Sequence, residues 1–66
     1  MQIFVNGSPR EVPASPTIAE LLAELGVEAR RVAVALNRDV VPRARHAEVV
    51  VQPGDRLEIV QAVQGG

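Results

Sequence analysis

The chain has 66 residues, no cysteine, seven basic residues that are all arginine, eight acidic residues and a formal charge of −1. That length supports one domain. The lack of cysteine excludes disulfides, thiolate metal sites and a thiol nucleophile, and the charge offers no electrostatic footprint for nucleic acid. No apolar run approaches a membrane span, and the start, Met1 to Gly7, lacks the basic and apolar regions of a leader, so the chain is expected in the cytosol with no membrane partner.

A domain this small buries only ~60% of its unfolded surface. Without staples it needs a regular core, which a 47% hydrophobic composition allows. Residues 2–6, Gln-Ile-Phe-Val-Asn, are β-branched and aromatic and predict a strand. Asn6-Gly7 suits a tight hairpin, since both positions tolerate positive φ. Residues 9–13, with a proline at each end, predict a return strand confined to a sheet edge.

Thr17 and Glu20 have the spacing of a capping box. Ile18, Leu21, Leu22 and Leu25 follow as one apolar helical stripe. Gly26 ends that helix in the left-handed region, and Val27 folds back toward Leu22. Residues 28–31 form a polar connector. Val32 to Leu36 predict a strand, Asn37-Arg38-Asp39 a turn, and Val40-Val41 a short strand stopped by Pro42. Residues 43–47 make a loop or one helical turn, and Glu48 to Val51 a brief strand. Gln52-Pro53-Gly54-Asp55 fits a type II turn. Arg56 to Gln61 alternate, with Leu57 and Ile59 inward.

Strand, strand, helix, strand, strand, strand places one amphipathic helix on one face of a mixed sheet. Its stripe packs on Ile3, Val5, Val34, Leu36, Leu57 and Ile59. This is an α+β, β-grasp arrangement, with residues 1–62 as the domain and 63–66 as a flexible tail. Parity puts Phe4 on the face away from the helix, joined by Ala33, Ala35 and Val60. An apolar patch there reads as a docking surface.

The end of the chain, Ala62-Val63-Gln64-Gly65-Gly66, reads as a segment offered outward. Glycine lacks a side chain and takes any backbone path, so Gly65 and Gly66 suit a narrow channel. Five extended residues reach roughly 16–18 Å. A carboxylate is a poor electrophile; attack on the α-phosphate of ATP would activate it as an acyl-adenylate. The unobstructed Gly66 carboxylate allows in-line approach, while the catalytic groups and Mg²⁺ belong to the activating partner. On this reading the chain binds no cofactor and is a co-substrate rather than an enzyme, having no clustered nucleophile, base and orienter.

A small β-grasp domain ending in diglycine resembles ubiquitin and its bacterial relatives, and over its whole length the chain is most similar to the ThiS family of thiamine-pathway sulfur carriers. The matching residues are Val5-Asn6-Gly7, Thr17-Ile18-Ala19-Glu20-Leu21-Leu22, Leu25-Gly26, Val34-Ala35-Leu36-Asn37, Val40-Val41-Pro42-Arg43, Asp55 to Val60 and Gly65-Gly66. The resemblance implies that a ThiF-type enzyme adenylates Gly66. A persulfide donor then supplies sulfur for a thiocarboxylate, which passes to thiazole synthase. It also sets Val60 where ubiquitin has a hydrophobic recognition valine, and Ala62 where ubiquitin has an arginine used in choosing its activating enzyme. Many relatives carry tryptophan in place of His46 and glycine in place of Gln64, so a partner channel must admit Gln64. Phe4, Val60, Ala62, Val63, Gln64 and Gly65 are the expected partner contacts.

Other acceptors of the same chemistry are tRNA thiolation and molybdenum cofactor synthesis. A protein modifier acylating target lysines, and an interaction module with an inert tail, are the alternatives of other classes. His46 is the one histidine and is expected on a surface loop between Arg43 and Arg45, with no companions for a metal. Asp39 and Asp55 are expected to make local turn hydrogen bonds.

Overall fold

The computed structural model describes residues 1–61. Within them the strands are β1 (Gln2–Val5), β2 (Ser8–Glu11), β3 (Val32–Leu36), β4 (Asp39–Val41) and β5 (Arg56–Gln61), with one helix, α1 (Ile18–Leu25). The sheet order is β2-β1-β5-β3-β4. β1 and β5 run parallel and the other neighbours antiparallel. Short 3₁₀ turns occupy Ala29–Arg31 and Arg43–Arg45.

Both hairpins close with two residues at positive φ. Asn6 and Gly7 sit at 51° and 84°, and Asn37 and Arg38 at 51° and 75°. This left-handed pair matches the twist of the strands it joins. Asparagine adopts it at low cost, whereas Arg38 carries the Cβ penalty that glycine avoids in the first hairpin.

Helix α1 has only eight residues, too few to persist without help. Help comes from its ends. The Thr17 hydroxyl accepts from the Glu20 amide at 3.1 Å, and Glu20 Oε1 accepts from the Thr17 amide at 2.8 Å. Gly26 stops the helix at φ 75°. The Val27 amide then donates to the Leu22 carbonyl at 2.9 Å.

The apolar stripe of α1 faces the sheet as its spacing requires. Ile18, Leu21 and Leu22 are buried with Ile3, Val34 and Leu57, and Val5, Leu25, Leu36 and Ile59 pack around them. Val12 and Val51 complete the buried cluster, although neither belongs to a strand.

Three expectations are corrected. The return strand is Ser8–Glu11 rather than 9–13: Val12 still pairs with Met1 beyond it, its amide reaching the Met1 carbonyl at 2.9 Å and its carbonyl the Met1 ammonium at 2.6 Å, and Pro13, which has no amide hydrogen to donate, ends the pairing. Glu48 to Val51 is not a sheet strand; Val50 makes an isolated bridge to Thr17. The reason lies in the partners of its backbone. The Val49 carbonyl takes the Ile18 amide at 3.0 Å and the Val51 amide reaches the Pro16 carbonyl at 2.8 Å, so this segment ties down the helix start.

His46, expected at the surface, is 3% exposed. Its Nε2 lies 3.1 Å from the Val41 carbonyl and its own carbonyl accepts from the Ala19 amide at 3.0 Å. The 3₁₀ turn at Arg43–Arg45 swings the imidazole under the loop and leaves the arginines outside.

Candidate functional site

β5 is the central strand and the one that leads to the chain end, so its neighbours define the root of the tail. On the face away from α1, Val60 is 62% exposed and stands opposite Ala33, while Glu58 stands opposite Ala35 and Ala35 opposite Val40. Phe4 shares this face, half-buried beside Arg56. Phe4, Ala33, Ala35 and Val60 therefore lie where parity predicts. The patch is broken by Glu58 and extended by Val40, which is 76% exposed. Val40 was missed as a member; a two-residue loop at Asn37-Arg38 would have set it beside Ala35 by register.

On the helix side of the same strand end lies an open groove of about 510 Å³, lined by Gly26, Val27, Glu28, Arg31, Val32, Ile59 and Gln61. Glu28 and Arg31 pair across its rim at 2.8 Å. The groove is open to solvent and does not enclose a small substrate. Among the described residues no group of three or more His, Asp or Glu side chains converges as a metal site, and no helix is long and apolar enough to cross a membrane.

Two turn asparagines hold β5, a role that spacing did not suggest. Asn6 Oδ1 accepts from the Ile59 amide at 2.8 Å and Nδ2 donates to the Ile59 carbonyl at 3.2 Å. Asn37 Oδ1 accepts from the Arg56 amide at 3.0 Å, and Asn37 Nδ2 donates to Asp55 Oδ1 at 3.0 Å. Asp55 Oδ2 accepts from the Gln52 amide at 2.7 Å, the local turn bond expected of it. The predicted site residues Ala62, Val63, Gln64, Gly65 and Gly66, and the boundary between 62 and 63, lie outside the described residues.

The ThiS family model matches residues 3–66. The chain belongs to the ThiS family. It is 36% identical to the sulfur carrier protein ThiS of Escherichia coli over 66 residues, covering all of both chains. The crystal structure of the thiamine biosynthesis protein ThiS from Geobacter metallireducens superposes with a TM-score of 0.89 at 36% identity, again over all of both chains. The fold is thus the ubiquitin-like β-grasp of that family. The chain is also 47% identical over 66 residues to a thiazole synthase of Paramagnetospirillum magneticum, of which it spans 20%. A thiazole synthase of Magnetococcus marinus matches at 39%, again over 20% of its length. The chain thus spans about a fifth of the length of these two relatives.

Proposed function

We propose that this ThiS-family chain is a sulfur carrier of thiamine biosynthesis and that the Gly66 carboxylate is its reacting group. The carboxylate oxygen attacks the α-phosphorus of ATP in a ThiF-type enzyme and pyrophosphate leaves. A persulfide sulfur then displaces AMP from the acyl carbon. Cleavage of the resulting acyl disulfide by a thiol releases the thiocarboxylate, and the thiol sulfur ends in a disulfide. The thiocarboxylate delivers its sulfur to an acceptor carbon held by thiazole synthase, an oxygen from water or from that acceptor's carbonyl takes the sulfur's place on the acyl carbon, and the carrier returns with a carboxylate. The chain contributes the reacting end and the docking face, so it is a protein co-substrate. ATP and Mg²⁺ belong to the activating enzyme, and the cytoplasm is the compartment that supplies them.

The observation that carries this reading is the full-length match to a sulfur carrier ThiS, which runs through residue 66 of this chain. Thiazole synthase is favoured as acceptor by its relatives of that name, in which a stretch like this chain is part of a longer polypeptide. Covalent linkage raises the effective concentration of a carrier at its acceptor.

The test is intact mass after incubation with the host's adenylating enzyme, ATP, Mg²⁺ and a persulfide source. A gain equal to exchanging one oxygen for sulfur, absent from a chain lacking Gly66, supports the carrier chemistry. Adding thiazole synthase together with its carbon substrates should then return the mass to its starting value. No gain with an enzyme that works on another carrier overturns the reading. Sulfur passing to tRNA or to a molybdopterin precursor, but not to thiazole synthase, moves the carrier to another pathway.

A further inference from the structure

Arg38 occupies the turn position that glycine fills in the other hairpin. Its φ is 75°, against 84° for Gly7. A residue with a Cβ is strained there, and strain of this kind is kept where a site gains from it. The turn is also fixed in place. The Asn37 amide donates to the Arg56 carbonyl at 2.8 Å, and Asn37 Oδ1 accepts from the Arg56 amide. Arg38, Arg56 and Glu58 then line an opening of about 200 Å³ between the two hairpin turns, together with Gly7 and Leu57.

Two guanidiniums and one carboxylate leave this opening with one positive charge in excess. Among the described residues the ion pairs are Met1–Glu11, Arg31–Glu28 and Arg45–Glu48, so none of these three charges is spent in a close pair. Asp39 does not line the opening, and Asp55 is engaged with Asn37 and Gln52. Arg56 is held over the Phe4 ring, which leaves Arg38 as the freer cation. Arg56 and Glu58 alternate with Val60 on β5, so the opening is continuous with the face that bears Val60 and Val40.

We propose that this opening receives an aspartate or glutamate side chain of the adenylating enzyme, with Arg38 as its main ligand. This rests on the sulfur-carrier reading. A guanidinium fork matches a carboxylate in two parallel hydrogen bonds, and a single carboxylate balances the excess charge. Arg56 opens β5 and Gln61 ends it, roughly 16 Å apart at ~3.3 Å per residue. The contact therefore grips the body of the domain and takes no part in the chemistry at Gly66.

Two variants separate the charge from the strain. Arg38→Gly removes both, whereas Arg38→Gln removes the charge and keeps the Cβ. Steady-state adenylation is measured with the carrier as varied substrate, and thermal unfolding is followed on the same samples. Both variants are expected to raise KM about fivefold and to leave kcat within about twofold. Arg38→Gly alone should raise Tm, by about 3–6 °C. A purely structural arginine cannot give a more stable carrier that docks less well. At about 0.5 M salt the KM gap between the variants and the unaltered chain should shrink toward onefold, because the lost contact is ionic.

Equal KM in all three chains overturns the proposal alone, as does a gap that persists at high salt. A Tm that falls in Arg38→Gly overturns the premise that the arginine is kept at a cost. If the unaltered chain is not adenylated by an enzyme active on another carrier, the carrier reading fails and the proposal falls with it.

Discussion

The guanidinium carbon of Arg56 sits 4.6 Å from the centre of the Phe4 ring, at a rung where β1 and β5 stand side by side. The cation covers part of the aromatic face, an attraction that persists at a wet surface. Phe4 is therefore partly withdrawn from the open face, and the aliphatic side chains most available to a partner are Val60 and Val40. Docking energy concentrates in a few well-buried apolar anchors.

Val60→Asp is accordingly predicted to raise the KM of the carrier for its adenylating enzyme about tenfold or more, the result of burying an unpaired charge. At 62% exposure the residue contributes little to folding, so stability should stay within about 0.5 kcal/mol. Phe4→Leu should have a smaller effect on KM. An unchanged KM for Val60→Asp removes this face from the adenylation complex.

The caps of α1 should carry a large share of the domain's stability. A chain of this size is expected to have about 3–10 kcal/mol in total. Thr17→Ala removes the bond to the Glu20 amide and should cost about 1 kcal/mol. Gly26→Ala forces a Cβ into the left-handed region and should cost about 1–2 kcal/mol. Nothing lies within 4 Å of a Cβ built at Gly26, so that cost is backbone strain alone. Urea denaturation of each variant checks both values. A neutral Gly26→Ala would mean that the helix end relaxes to another conformation.

The local features of this fold are the legible ones. Thr17 with Glu20, the stripe from Ile18 to Leu25, and Asn6-Gly7 each act within a few residues, so spacing and type reveal them. What the sequence hides is decided across the fold. Val49 to Val51 has the composition of a strand, but its backbone partners are Ile18 and Pro16, about 30 residues away by position. Asn6 reads as a turn residue, yet its side chain works on Ile59, 53 positions further on. The diglycine of the site is plain as a pattern; the face beside it emerges only when register sets Val40 next to Ala35.

Adjacent valines test the corrected segment. Val51 is 0% exposed, whereas Val50 is 42% exposed. Deleting two buried methyls loses their transfer energy and leaves a cavity, so Val51→Ala should cost about 2 kcal/mol. Val50→Ala should cost under about 0.5 kcal/mol. Chemical denaturation midpoints with a common slope separate the two. A larger loss for Val50 would place the opposite face of this segment in the core.

His46 carries the last prediction. A carbonyl can only accept, so in the neutral ring the hydrogen sits on Nε2 and points at Val41. Nδ1 is then a buried acceptor with no partner among the described residues. His46→Ala loses both the Val41 bond and the packed volume, and should cost about 2–4 kcal/mol, a large part of this domain's stability. His46→Phe keeps a flat ring, somewhat larger than imidazole, and removes the orphaned nitrogen, so it should cost less than His46→Ala even though the Val41 carbonyl loses its donor and the site is slightly overfilled. Nitrogen-15 spectra of the imidazole should place the hydrogen on Nε2. A neutral His46→Ala would mean that the ring lies in solvent, and equal losses in the two variants would assign the whole effect to the hydrogen bond rather than to packing.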